Sequence, residues 1–237
     1  MGDDYFTMQV YAGQHPSTQR REHLIQVVQE ALKSSNFAEK SNIDQPHNRI
    51  IVIGPLDSTP WLSVFDSITY EAEGDFPLLV SPSEFWELAK AVSTGFGPAV
   101  IIHMDDSCSI AFRLFVDGQL VDEYQDKPTI GWAVSRGNWS EAERKAYVGH
   151  PEIWISSLGL QDESLIPSLR QAWPTDKTKT SSTTILADTA KILGWNGHLC
   201  STGFSIGADG IPYPYQAITS SYFTQAQFLE LYFLRPD

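Results

Sequence analysis

The densest group of chemically capable side chains lies at 103–108, where His103, Asp105, Asp106 and Cys108 follow one another closely. In an extended strand alternate residues share a face, so His103 and Asp105 point the same way if the strand ends near here. An imidazole nitrogen and a carboxylate, joined by Asp57 or Asp66 from the region before, would make a divalent-metal site that activates water for hydrolysis. In that reading His103, Asp105 and Asp106 are the catalytic groups, and His103, Asp105, Asp57 and Asp66 the metal ligands. The plainer reading is that Asp105-Asp106-Ser107 is turn chemistry and His103 an ordinary strand residue. Cys108 would need an adjacent base to act as a nucleophile, a role open to His103 across the turn; otherwise a strand cysteine is a small hydrophobe.

His150, His198 and Cys200 form a second conceivable set, with His198 and Cys200 on one side of an extended segment, but no pair at helical or finger spacing completes a four-ligand zinc site. Gly203, Gly207 and Gly210 fit neither the dinucleotide fingerprint nor the phosphate loop, and no lysine follows them. The chain holds no Gly-x-Ser-x-Gly, no His-Glu-x-x-His and no calcium-loop pattern. No cofactor is expected.

Charge is distributed unevenly. The formal net charge is -13; residues 61–130 hold twelve acidic and three basic side chains, whereas residues 131–182 hold six of each. Phosphate binding needs a basic footprint, so nucleic acid is disfavoured as the main partner. An acidic segment suits a basic protein instead. Asp117, Asp122, Glu123 and Asp126 would steer that partner, and an exposed Trp61 or Trp132 would anchor it. The expected function is therefore a non-catalytic protein-binding module, an inhibitor or neutralising partner of a basic protein. The alternative is the small metal-assisted hydrolase built around 103–106. A subunit that completes a homo-oligomer is a third reading.

The elements that must position these groups are legible in the hydrophobic pattern. Residues 5–13 and 49–54 read as strands, the second a continuous apolar run closed by Gly54. Residues 61–67 read as a third strand. Leu24, Val27, Val28, Ala31 and Leu32 recur at helical spacing. Ser81-Pro82-Ser83-Glu84 has the form of a capping box with proline at the first helical position, followed by the stripe Phe85, Leu88, Ala89 and Val92 and a stop at Gly95 or Gly97. Then come three strands, 98–104, 107–116 and 119–125, the last two joined by Asp117-Gly118, which predicts a tight hairpin. The fold class this implies is α+β: a mainly antiparallel sheet with helices packed on one face and a meander at 98–125.

Beyond residue 130 the pattern weakens. Residues 1–130 read as an α+β sheet domain, and 131–237 as a second mixed subdomain or a continuation of it, with an exposed loop at 174–184. Helices are predicted near 140–147, 160–173 and 185–194, and a helix beginning near Thr224 is preferred over a strand for 228–234. The two cysteines, Cys108 and Cys200, fit no disulfide scaffold. The N-terminal stretch shows no secretory pattern and no run is long and apolar enough to span a bilayer. Cytoplasmic residence is the expectation, with no membrane partner.

Overall fold

The computed structural model describes residues 4–16, 19–41, 49–54, 59–69, 83–105, 109–126, 129–130, 134–135, 140, 142, 146–174, 180–200, 204–206, 212–214 and 227–236. Two strands, β3 (Arg49–Gly54) and β4 (Trp61–Asp66), are buried along their whole length. A strand buried on both faces must lie inside a sheet that is itself covered on both sides. The other members are β1 (Asp4–Tyr11), β2 (Ala38–Lys40), β5 (Ala99–Asp105), β6 (Ser109–Val116), β7 (Gln119–Gln125) and β12 (Leu229–Leu234). They form one eight-stranded sheet in the order β2-β12-β3-β4-β1-β5-β6-β7, in which every pairing is antiparallel. The α+β class, the antiparallel sheet and the meander β5-β6-β7 are as the hydrophobic pattern predicts. Asp117 and Gly118 both take positive φ, 49° and 77°, the backbone geometry that a two-residue hairpin turn of this twist demands.

The helices α1 (Arg20–Ser34) and α2 (Ser83–Gly95) cover one face. Leu24, Val28 and Leu32 of α1 and Phe85, Leu88, Ala89 and Val92 of α2 meet Phe6, Met8, Val10, Ile51, Ile53, Val64, Ala99 and Ile101 of the sheet. The helical stripe fits the pleat because alternate strand residues line one side. The next residues along the same strands, Val100, Ile102, Ile110, Phe112 and Leu114, point the other way. They are covered from the second half of the chain by α3 (Pro151–Ser157), α4 (Leu165–Ala172), α5 (Ser182–Leu193) and α6 (Gly197–Cys200). Trp154, Trp173 and Trp195 lie in that second interface, packed edge to face or tilted against one another and against Phe112, with Trp173 stacked on Tyr124. So α1 and α2 lie on one face as expected, and the helices beyond residue 150 add a layer on the other.

Local signals explain the helix ends. Pro151 opens α3, where its missing N–H costs nothing. Ser181 caps α5 by accepting from the Thr184 amide at 3.2 Å, and Gly194 closes it with φ 79°. Pro167 is accommodated within the first turn of α4 for the same reason as Pro151.

Two short antiparallel pairs stand outside the main sheet: β8 (Thr129–Ile130) with β9 (Val134–Ser135), and β10 (Phe204–Ile206) with β11 (Pro212–Pro214). Three expectations change. Residues 36–48 are not only a connector, since Ala38–Lys40 pairs with β12 at the sheet edge. Residues 229–234 form a strand, not a helix: β12 inserts between β2 and β3, where Leu231 and Phe233 reach the core and the aromatic, alternating pattern is satisfied. His198 and Cys200 sit on the short helix α6, so they do not share one side of an extended segment. The expected capping-box start at Ser81-Pro82 lies outside the described residues, as do 141 and 143–145. Among the described residues no helix is long and apolar enough to cross a membrane.

Candidate functional site

The acidic residues expected to steer a partner separate into two kinds. Asp117, at the hairpin turn, is exposed. Asp122 and Asp126 are buried, at 8% and 1% exposure, and are corrected from surface groups to internal acceptors. Asp126 accepts from the Ile110 amide at 2.8 Å and from Ser182 Oγ at 2.6 Å, tying the start of α5 to the end of β7. Both lie on the face of β7 that receives the second helical layer, because Tyr124 between them pairs with inward-facing Phe112. Glu123 points to the opposite face and is half-buried in an ion pair with Arg113 Nε at 2.8 Å, over which the Trp86 ring lies. Trp61, expected as an exposed anchor, is 2% exposed; its Nε1 donates to the Leu193 carbonyl at 2.8 Å, and its ring packs on Tyr11 and Trp195. Trp132 lies outside the described residues.

The groups named for metal chemistry are dispersed in a similar way. His103 is half-buried on β5 with its ring stacked on Phe6 at 4.1 Å. Asp66 ends β4 and is fully buried, held by both Arg49 Nε and Nη2 at 2.5–3.2 Å. β1 runs between β4 and β5, so two strand spacings, roughly 10 Å, separate the strands that carry the two side chains. A metal needs both at about 2 Å. Burial pushes the Asp66 carboxyl up, against the pull of the Arg49 guanidinium beside it. Asp66 is thus corrected from metal ligand to ion-pair partner. Asp105 ends β5 opposite Asp4 and Ser109, while its side chain, and Asp57, Asp106 and Cys108 altogether, lie outside the described residues. Among the described residues no group of three or more His, Cys, Asp or Glu is placed to hold a metal ion. Cys200 is fully buried, and burial pushes its thiol up, away from the thiolate a nucleophile requires.

The structure assembles a different site at the end of the sheet. β7 is the last strand, and the described residues cover its outer edge over only part of its length. The Gln125 amide donates to the Tyr147 carbonyl at 3.0 Å and the Gly149 amide to the Glu123 carbonyl at 3.1 Å, so residues 147–149 shield the far half. Gln119, Leu120 and Val121 are exposed. Leu120 at 42%, Val121 at 37% and Ile153 of α3 at 36% are the large apolar side chains left exposed among the described residues. Where the covering segment leaves the edge stands His150. Asp122 accepts three hydrogen bonds there: from the His150 amide at 2.6 Å, from Trp154 Nε1 at 2.7 Å, and through Oδ1 from His150 Nδ1 at 2.7 Å. A carboxylate only accepts, so the shared proton belongs to Nδ1, and in the neutral ring the lone pair is then on Nε2. The His150 side chain is 49% exposed.

No protein-family model, curated protein or solved structure matches this chain. The edge of β7 and its flanking His150 are therefore read on their own geometry. Sequence inspection finds Leu120 and Val121 only as part of a strand, because exposure depends on which strand ends the sheet. It groups His150 with His198 and Cys200 and misses its actual partner, Asp122, which is 28 positions away.

Proposed function

We propose that this protein is a non-catalytic binding module that takes a basic protein partner along the open stretch of β7. The observation that carries the reading is the pair Leu120 and Val121, exposed on the last strand of the sheet, where none of the described residues bonds to the outward backbone of 119–121. Edges of this kind are normally blunted, since an apolar open edge is a template for another chain. An extended segment added there gains main-chain hydrogen bonds from the edge and apolar contact from alternate side chains. The basic character of the partner rests on the net charge of -13, with Asp117 exposed at one end of the open stretch. Charge of one sign accelerates encounter with the other sign and is weakened by salt.

The test compares wild type with the double variant Leu120→Glu, Val121→Glu, each immobilised and exposed to a lysate of its native cell at low and at moderate salt. The expected outcome is a stoichiometric basic protein retained by wild type, diminished as salt rises and absent from the double variant. Equal retention by both forms, or none at either salt, defeats the reading.

A further inference from the structure

Resting on that reading, we propose that His150 is a specificity-determining contact: its Nε2 accepts a hydrogen bond from a lysine or arginine side chain of a segment added along Gln119–Val121. Four observations lead to this atom. Gly149, the residue before it, is the last to bond to the edge of β7, through the Glu123 carbonyl, so His150 stands where the open stretch begins. Asp122, itself buried, grips His150 twice, at the backbone amide and at Nδ1, which fixes the ring's direction and leaves only Nε2 to act outward. Trp154 Nε1 fills the second bond on Asp122 Oδ2 and holds the carboxylate in place from below. Among the described residues Nε2 meets no protein partner, and half of the side chain is in contact with solvent.

In the neutral ring Nε2 is an acceptor, so the donor must come from the partner, and lysine and arginine are donors without acceptors. An acidic partner is refused by the same geometry, since a carboxylate and an unprotonated Nε2 are both acceptors. Protonation reverses the preference. Nε2 would then be a donor with positive charge and would repel a cation. Among the described residues Asp122 is the ionisable group bonded to the ring, and Glu152, two residues on, is paired with Arg170 of α4. Asp117 lies at the opposite end of the open stretch and suits the next cationic residue of the same segment.

The experiment uses labelled octapeptides of alternating threonine with lysine, glutamate or serine, and measures their binding to the whole protein by fluorescence anisotropy. The lysine peptide is expected to bind wild type at pH 7.5 more tightly than the other two. His150→Lys, with a fixed charge at the same place, should lose about tenfold at pH 7.5. His150→Gln, which offers an oxygen acceptor at the same place, should bind within about threefold of wild type. Circular dichroism of each variant confirms the fold, which the remaining His150 amide and Trp154 bonds to Asp122 maintain. If His150→Lys binds like wild type while Leu120→Glu, Val121→Glu does not bind, the histidine contact is overturned and the edge reading stands. If the lysine peptide fails to bind wild type, or binds the edge variant equally, both fall.

Discussion

Arg49 and Asp66 face each other near one end of β3 and β4 almost without contact with water, their side chains 1% and 0% exposed. The guanidinium makes a two-pronged grip on the carboxylate, lies over the Phe37 ring at 5.0 Å, and comes within 3.7 Å of Glu84, which in turn binds Arg235. A buried pair of this kind contributes little net energy compared with two apolar residues of similar size, but is expensive to break from one side. Arg49→Met should therefore destabilise the fold by about 3–5 kcal/mol, while Arg49→Met combined with Asp66→Leu should recover most of that loss. The sign of the pH effect follows. With Arg49 gone, only the Ile68 amide still opposes burial at Asp66, and its folded pKa rises further above the unfolded one. Its contribution is then fully present below the unfolded pKa and lost as pH rises through the folded value, so the deficit of Arg49→Met should be smaller near pH 4 than at pH 7. Urea unfolding of the single and double variants at both pH values measures this. Equal deficits at the two pH values would sink the account. Sequence alone shows Asp66 as one acid among twelve in an acidic stretch. Only the pairing of β3 with β4 reveals that a cation is waiting for it.

At the scale of elements, Gly149 joins the segment that shields β7 to the helix that buries Trp154. It takes φ 67°, and a side chain at that position would meet the Trp173 ring at 2.8 Å and Tyr124 Cβ at 3.0 Å. Neither neighbour has room to retreat, since Tyr124 and Trp173 are packed inside the second core. Gly149→Ala should cost about 1–3 kcal/mol, through strain in φ and overpacking together, seen as a lowered urea midpoint with unchanged slope. Gly118→Asn, also at positive φ but at the exposed hairpin, should cost much less, because asparagine tolerates this conformation and the near neighbour is only the Thr94 hydroxyl. A similar loss in both variants would contradict the argument. Elements that carry their own signals were legible beforehand: α2 by its apolar stripe, β6-β7 by Asp117-Gly118, α5 by its stop at Gly194. Residues 229–234 were not, since Thr224 to Gln227 imitates a helix start and only the vacancy between β2 and β3 decides for a strand. The edge site was illegible for the same reason, as was the inward turn of Asp122 and Asp126, whose charge looks like surface charge until Trp154 and Ser182 are seen to bind it.

Taken whole, the molecule is three layers thick, and its middle layer is drawn from both ends of the chain. β1 lies near the centre of the sheet and β12 between β2 and β3, while β5 and β6 present one row of side chains to α2 and the other to α3, α4 and α5. Neither core can be opened without stripping a face from strands the other also needs. Removal of residues 228–237 should therefore not leave a frayed edge but abolish the folded state, with near-ultraviolet circular dichroism lost along with the unfolding transition. A truncated chain that retains the wild-type spectrum and a cooperative transition would show that β12 is dispensable.

The placement of β12 also sets an order in time. A chain made from its N-terminus completes Arg49–Gly54, one of its most apolar strands, more than 170 residues before the neighbour that belongs on its flank, Leu229–Leu234, has been synthesised. For all of that interval one side of β3 has β4 and the other has nothing of its own kind. Any strand that arrives first, from the same chain or from another, competes for the vacant side. The protein's vulnerability to misassembly is greatest while it is being made, and it ends when those six residues take their place.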